Sequence, residues 1–275
     1  MNPKGKLVIG RSIEKGSGIE TIEKAMIHDF PDEIFTLLLQ QKDARIEFLT
    51  ASDPAQNIKE KYFTAFQKKG YCNFGFIHID QKQDVDNYYS RIFDAKIVLL
   101  AEEEPQFYEV LKNSLLMKLL HKKYLEDEDF TIVGINAGAM YIPRFFLNET
   151  GIAGGFGFIS NCIIDTKFNH GTRFKNMVNA IISHPECLGI GLNRGMALLI
   201  EKGYKASCFG GGSVMVVNAK NVKKNRLRSG ASVYTKNLKG HILTQGSILN
   251  LFNGNLIRNH LFDCNLNFTS RNTIQ

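Results

Sequence analysis

The sequence predicts an α/β fold, a three-layer α/β/α sandwich whose mostly parallel sheet gains antiparallel strands in the C-terminal part. Three observations predict it. Short apolar runs alternate with amphipathic helical stretches four times before residue 140, the pattern that right-handed βαβ crossovers leave in a sequence. The run Ala95-Lys96-Ile97-Val98-Leu99-Leu100 is almost continuously apolar, as strands buried on both faces of a parallel sheet are. Past residue 150 the runs shorten and are parted by glycine-containing turns, as antiparallel neighbours are.

In chain order, the first strand is Lys6 to Gly10, an apolar run that ends in glycine. Gly16-Ser17-Gly18 marks a loop before Ile19 to Ile27, and Pro31-Asp32-Glu33 opens a helix with Ile34, Phe35, Leu38 and Leu39 on one stripe. Arg45 to Thr50 is a strand that hands over, through Ala-Ser-Asp-Pro, to a helix carrying Tyr62, Phe63 and Phe66 and stopped at Gly70. Phe74 to Ile79 and Ala95 to Leu100 are the next strands. After Glu102-Glu103-Glu104-Pro105 one helix runs through Phe107, Val110, Leu111, Leu115, Leu116 and Leu119. The following strand starts at Thr131.

Gly151 to Gly157 is glycine-rich but has neither the Gly-x-Gly-x-x-Gly spacing nor a Gly-Lys-Ser/Thr ending, so no nucleotide is assigned to it. Met196 to Glu201, Ser207 to Phe209 and Val214 to Asn218 read as short antiparallel strands joined by tight turns, with Gly210-Gly211-Gly212 between the last two. His241 to Leu251 and Asn255 to His260 supply further strand pieces.

Bulk properties bound the function. A length of 275 residues suits a single domain over 1–275, with a frayed tail from about residue 265. The net charge of +7 invites a nucleic-acid partner, but the densest basic stretch, Lys220 to Arg228, reads as a solvated turn, and no nucleic acid is expected. Cys72, Cys162, Cys187, Cys208 and Cys264 are widely spaced, with no C-x-x-C pair, and read as reduced thiols of a cytoplasmic protein. The N-terminus enters a strand without an apolar signal core, and no run reaches membrane-spanning length, so no membrane partner is expected.

The stretch that organises the chain is Thr131 to Met140, where a β-branched run breaks at Gly134 and re-forms as small residues around Asn136. Strand, tight turn and small-residue helix start outline a nucleophile elbow. Its tip, Asn136, has no hydroxyl or thiol with which to attack a carbonyl.

Three stretches together resemble the cyanophycinase family of serine peptidases, relatives of the α-aspartyl dipeptidases. They are Gly134-Ile135-Asn136-Ala137-Gly138-Ala139, then Gly155-Phe156-Gly157-Phe158 with Ile163 to Phe168 and Arg173, and finally Gly189 to Leu198. The resemblance extends from about Lys6 to Asn250. It implies a flavodoxin-like, class I glutamine amidotransferase-like sandwich, a homodimer, and in active members acyl transfer that cuts a β-aspartyl-arginine polymer.

Against the family pattern, the chemistry is altered. The serine position reads Asn136, the histidine position Lys167 with Thr166 before it, and the acidic position Arg194 with Asn193 before it. A serine peptidase needs hydroxyl, imidazole and carboxylate together, so these triad-equivalent positions are expected to be inactive. The resemblance places the ligand-binding set at Arg173, Thr166, Ala137, Glu103 and Gln106, the last two in the acidic stretch where the family has an oxyanion turn. A loop histidine such as His170 is more often solvated than a replacement base, Cys162 in its apolar run is more often an inert core thiol than a relocated nucleophile, and His184 reads as one more satisfied polar residue; a non-standard hydrolase would need Cys162, or a water positioned by Lys167. No cofactor and no metal are expected. The expected function is that of a peptidase homologue without serine-peptidase activity that binds an acidic or peptide-like ligand. Its alternatives are a hydrolase with a non-standard site and a regulatory or scaffolding partner of an active paralogue.

Overall fold

The computed structural model describes residues 2–12, 32–38, 43–50, 57–79, 82–100, 106–169, 172–222 and 237–259. The readings for Gly16 to Ile27, Ala51 to Pro54, Glu102 to Pro105, His170, Lys223 to Arg228 and Cys264 lie outside these residues.

The N-terminal half alternates as its apolar periodicity requires. β1 (Lys6–Gly10), α1 (Asp32–Leu38), β2 (Ile46–Thr50), α2 (Asn57–Lys68) and β3 (Phe74–His78) are followed by a 3₁₀ stretch and a short helix, α3 (Tyr89–Asp94). Then come β4 (Ile97–Leu100), α4 (Gln106–Leu111), α5 (Leu115–Glu126), β5 (Thr131–Ile135) and α6 (Ala137–Tyr141). The C-terminal half holds β6 (Phe145–Leu147), β7 (Ile152–Gly154), β8 (Cys162–Asp165), α7 (Arg173–Ser183), β9 (Leu188–Leu192), β10 (Met196–Glu201), β11 (Lys205–Gly210), β12 (Val214–Asn218), β13 (Lys239–Leu243), β14 (Ser247–Asn250) and β15 (Leu256–Asn259).

One nine-stranded sheet runs in the order β15-β14-β11-β10-β1-β5-β4-β2-β3. Its half from β1 to β3 is parallel, and its half from β10 to β15 is antiparallel. Alternate residues of each central strand serve opposite cores: Val8, Val133 and Phe48 pack with Ile34, Phe35 and Phe66 of α1 and α2. Leu7, Ile9 and Ile132 pack with Leu116, Leu119 and Leu120 of α5 on the other face. Helices therefore cover both faces, which makes the three layers. A second sheet, β13-β12-β9-β8, shares the α5-side core through Ile164, Ile190 and Val216 and turns its other face to α7. Among the described residues no helix is long and apolar enough to cross a membrane.

Three expectations are corrected. The single helix through Phe107 and Leu119 is two helices, because Asn113 adopts φ 63° and Ser114 restarts the chain by accepting the Met117 N–H on its hydroxyl at 3.0 Å. An Asn in the left-handed region followed by a capping Ser is a stop and a start side by side. Gly210-Gly211-Gly212 does not join a hairpin, since β11 and β12 lie in different sheets. A Cβ on Gly210 would stand 2.0 Å from the Gly195 carbonyl oxygen, so the glycine serves a close backbone crossing. His241 to Leu251 is likewise divided, β13 pairing with β12 and β14 with β11, with Gly246 at φ 82° in the turn.

Candidate functional site

The elbow outlined by the sequence is formed. β5 runs to Ile135, Asn136 turns with φ 52° and ψ −116°, and α6 starts at Ala137. A non-glycine residue held there costs about 1–3 kcal/mol and is kept only where its surroundings over-determine it. Small neighbours allow the turn: a Cβ on Gly138 would lie 2.2 Å from the Leu100 carbonyl oxygen, and one on Gly134 2.6 Å from Ile142 Cδ1.

The tip is tied to the end of β1. Register pairs Gly10 with Ile135, and the Asn136 N–H donates to the Gly10 carbonyl at 3.0 Å. Asn136 Oδ1 accepts from both the Ser12 N–H and the Ser12 Oγ, each at 3.1 Å. Asn136 Nδ2 donates back to the same hydroxyl at 2.9 Å, which a group with one proton and two lone pairs accommodates. The Thr166 hydroxyl donates to the Asn136 carbonyl at 3.2 Å.

Behind Ser12 stands Arg11, only 2% exposed. Its Nη1 donates to Asn169 Oδ1 and to the Leu192 carbonyl, both at 3.3 Å, while its own carbonyl accepts the Gly195 N–H at 3.1 Å. The carboxyl ends of β1, β5, β8 and β9 thus converge at one place, the end of an α/β sheet where ligands are received.

The other expected site residues separate into two groups. Lys167 is half-buried and follows Thr166, its N–H held by Asp165 Oδ1 at 2.7 Å, and the exposed Arg194 lies in the turn that Gly195 ties to Arg11. Asn193, before it, donates from Nδ2 to Ser213 Oγ at 2.5 Å. Arg173 is engaged otherwise. Its Nε pairs with the fully buried Asp165 at 2.8 Å, and its Nη2 donates to the Leu147 carbonyl at 3.2 Å and approaches Met140 Sδ at 3.7 Å. Ala137 is buried at the first position of α6, where a helix offers the N–H no acceptor four residues back. Glu103 lies outside the described residues, as does the side chain of Gln106 at the start of α4.

Cys162 is wholly buried, and that burial pushes its thiol far above the ordinary range. Cys187 and Cys208 are buried too, whereas Cys72 is exposed. His184 caps the end of α7, its ring lying tilted against Phe145 with centroids 4.6 Å apart, and meets Glu186 Oε1 at 3.3 Å. Among the described residues no group of three His, Cys, Asp or Glu side chains is placed to hold a metal ion. The glycine-rich stretch packs on the segment after the elbow: the Phe156 N–H donates to the Tyr141 carbonyl at 2.7 Å, and a Cβ on Gly155 would meet the Pro143 carbonyl oxygen at 2.0 Å.

Sequence reasoning missed Arg11 and Ser12. Their signal was positional, since they follow directly on the first strand of a parallel sheet.

A strand–turn–helix with positive φ at its tip, set in the parallel half of a three-layer sheet, defines an α/β sandwich built around a nucleophile elbow. No protein-family model matches the chain. Among curated proteins, the cyanophycinase of Trichormus variabilis is 22% identical over 220 residues, 74% of each chain. That of Nostoc sp. is 26% identical over 157 residues, 52% of each. That of Geminocystis herdmanii is 23% identical over 262 residues, 89% of this chain and 92% of that protein. A solved Listeria monocytogenes structure described as a peptidase E protein aligns with TM-score 0.48 and 11% identity over 76% of this chain and 99% of that one. The chain is thus similar to cyanophycinases over 74–89% of its length in two of these comparisons.

Proposed function

We propose that this cyanophycinase homologue lacks serine-peptidase activity and uses the inherited elbow to hold an acidic or peptide-like ligand. One observation carries the reading: the elbow keeps the strained conformation of a nucleophile-bearing turn, yet its tip is an amide whose two polar atoms are both engaged by Ser12. A carboxamide has no proton to give up near neutral pH, so a neighbouring base could not turn it into a nucleophile. Strain retained without a nucleophile is strain retained for placing backbone and side chains around a pocket.

The cations suit an anionic group. Arg11 is buried behind the tip, and Lys167 and Arg194 belong to segments hydrogen-bonded to the tip and to Arg11 respectively. Fixed positive charge at the carboxyl ends of strands attracts carboxylates, and an arginine fork binds them bidentately. Arg173 takes a different part, holding Asp165 and through it the Lys167 backbone. Hydrolysis through Cys162 has no support, because a thiolate is the reactive form and burial opposes it.

The test is a calorimetric titration with β-Asp-Arg and with acidic dipeptides. Saturable binding is expected, weakened about tenfold, or 1.4 kcal/mol, in Arg194→Ala. Absence of binding by every peptide would remove the ligand from this reading.

A further inference from the structure

We infer that Asn136 is a modification site, a backbone-assisted deamidation in which the folded elbow supplies the reactive geometry. Three observations converge. The first is ψ −116° at Asn136. Near that angle the following main-chain nitrogen eclipses Cβ about the Cα–C bond, so the Ala137 nitrogen and the Asn136 C, Cα and Cβ atoms already lie close to one plane. These are four of the five ring atoms of a succinimide, and only Cγ has to close. An α-helix or a β-strand turns the same nitrogen away by roughly 75° or 110°.

The second is the pair of donors on Oδ1. The Ser12 N–H and the Ser12 hydroxyl both point at the oxygen on which negative charge develops when a nucleophile adds to Cγ. Two fixed donors at that place are the arrangement that stabilises a tetrahedral oxyanion. The Nδ2 atom, which must leave, already faces the same hydroxyl at 2.9 Å. The third is Ala137 itself: its N–H stands at the first helical position, where the helix uses no acceptor for it, and its side chain is a single methyl.

The step balances without any oxidant or cofactor. Hydroxide removes the Ala137 amide proton, the N–Cγ bond forms, and the Cγ–Nδ2 bond breaks as Nδ2 takes a proton from water and departs as ammonia. Water then opens the imide, at Cγ to leave aspartate or at the main-chain carbon to leave isoaspartate. Either product puts a carboxylate at the elbow tip. Holding the attacking nitrogen in the plane of Cα and Cβ shortens the path to ring closure and so lowers the barrier.

The sequence provides its own controls. Asn136–Ala137, Asn179–Ala180 and Asn218–Ala219 share one local dipeptide, and the tryptic fragment from Tyr124 to Arg144 carries Asn136 as its only amide side chain. Asn179 lies within α7 and Asn218 ends β12. The full chain is incubated at mildly alkaline pH, folded and in urea, and the acid form of each fragment is followed by mass spectrometry. In the folded protein Asn136 is expected to convert at least about tenfold faster than Asn179 and Asn218, with the three rates converging in urea; Ser12→Ala, which keeps the backbone donor but loses the hydroxyl, slows Asn136 about tenfold. An Asn136 rate no higher than those of Asn179 and Asn218, or higher in urea than in the fold, would overturn the inference.

Discussion

Replacing Arg173 by methionine separates two roles that this residue can have. Asp165 is fully buried and receives two donors, Arg173 Nε at 2.8 Å and the Lys167 N–H at 2.7 Å. Removing one partner of a buried ion pair costs 3–5 kcal/mol, because an uncompensated charge stays behind. The second donor remains, and the arginine side chain is 20% exposed, so the lower end, about 3 kcal/mol, is expected. For a urea slope of about 3 kcal/mol/M this moves the unfolding midpoint by about 1 M. Chemical denaturation followed by circular dichroism reads it, and Asp165→Asn in the same chain should recover part of the loss, since no buried charge is then left. A midpoint within about 0.2 M of the wild type would refute the argument and return Arg173 to ligand binding.

Other expectations follow from single contacts. Glu47 is fully buried between Arg45 Nη2 at 2.7 Å and Arg91 Nη2 at 2.5 Å, so Glu47→Gln should cost about 2 kcal/mol by the same measurement, the partly exposed arginines softening the effect. Gly138→Ala drives a methyl to 2.2 Å from the Leu100 carbonyl oxygen and should lose about 1–3 kcal/mol, where an alanine in an open helix would gain stability. His121 is kept neutral by burial, which lowers its pKa against the opposing pull of its hydrogen bond to the Phe156 carbonyl. The unfolded chain then binds the proton first, so stability is full above the ordinary histidine range and falls as pH drops through about 6.5. His121→Gln should flatten that part of a denaturation profile against pH; an unchanged slope would locate the proton elsewhere.

The parallel half of the sheet was legible because its strands are apolar on both faces and stand alone between helices, so periodicity decided them. Asn136 was legible for a different reason, since only a tight turn explains a β-branched run giving way to Ala-Gly-Ala. What stayed hidden depended on partners distant in sequence. Gly210 to Gly212 looked like a hairpin because local turn chemistry cannot say which sheet the next strand joins. Asn113-Ser114 carried a legible stop and start, overridden in the reading by the longer leucine periodicity. Arg173 was expected to face ligand on the strength of resemblance, whereas Asp165, eight residues before it in the chain, claims its Nε. Ser12 lies 124 residues from the amide it holds, a separation no local pattern bridges.

Under the function proposed above, the elbow persists without peptidase chemistry. Incubating the purified protein with the β-aspartyl-arginine polymer cyanophycin and following release of β-Asp-Arg tests it most directly. No release above buffer is predicted for the wild type; turnover that disappears in Lys167→Ala would show that the elbow still hydrolyses the polymer.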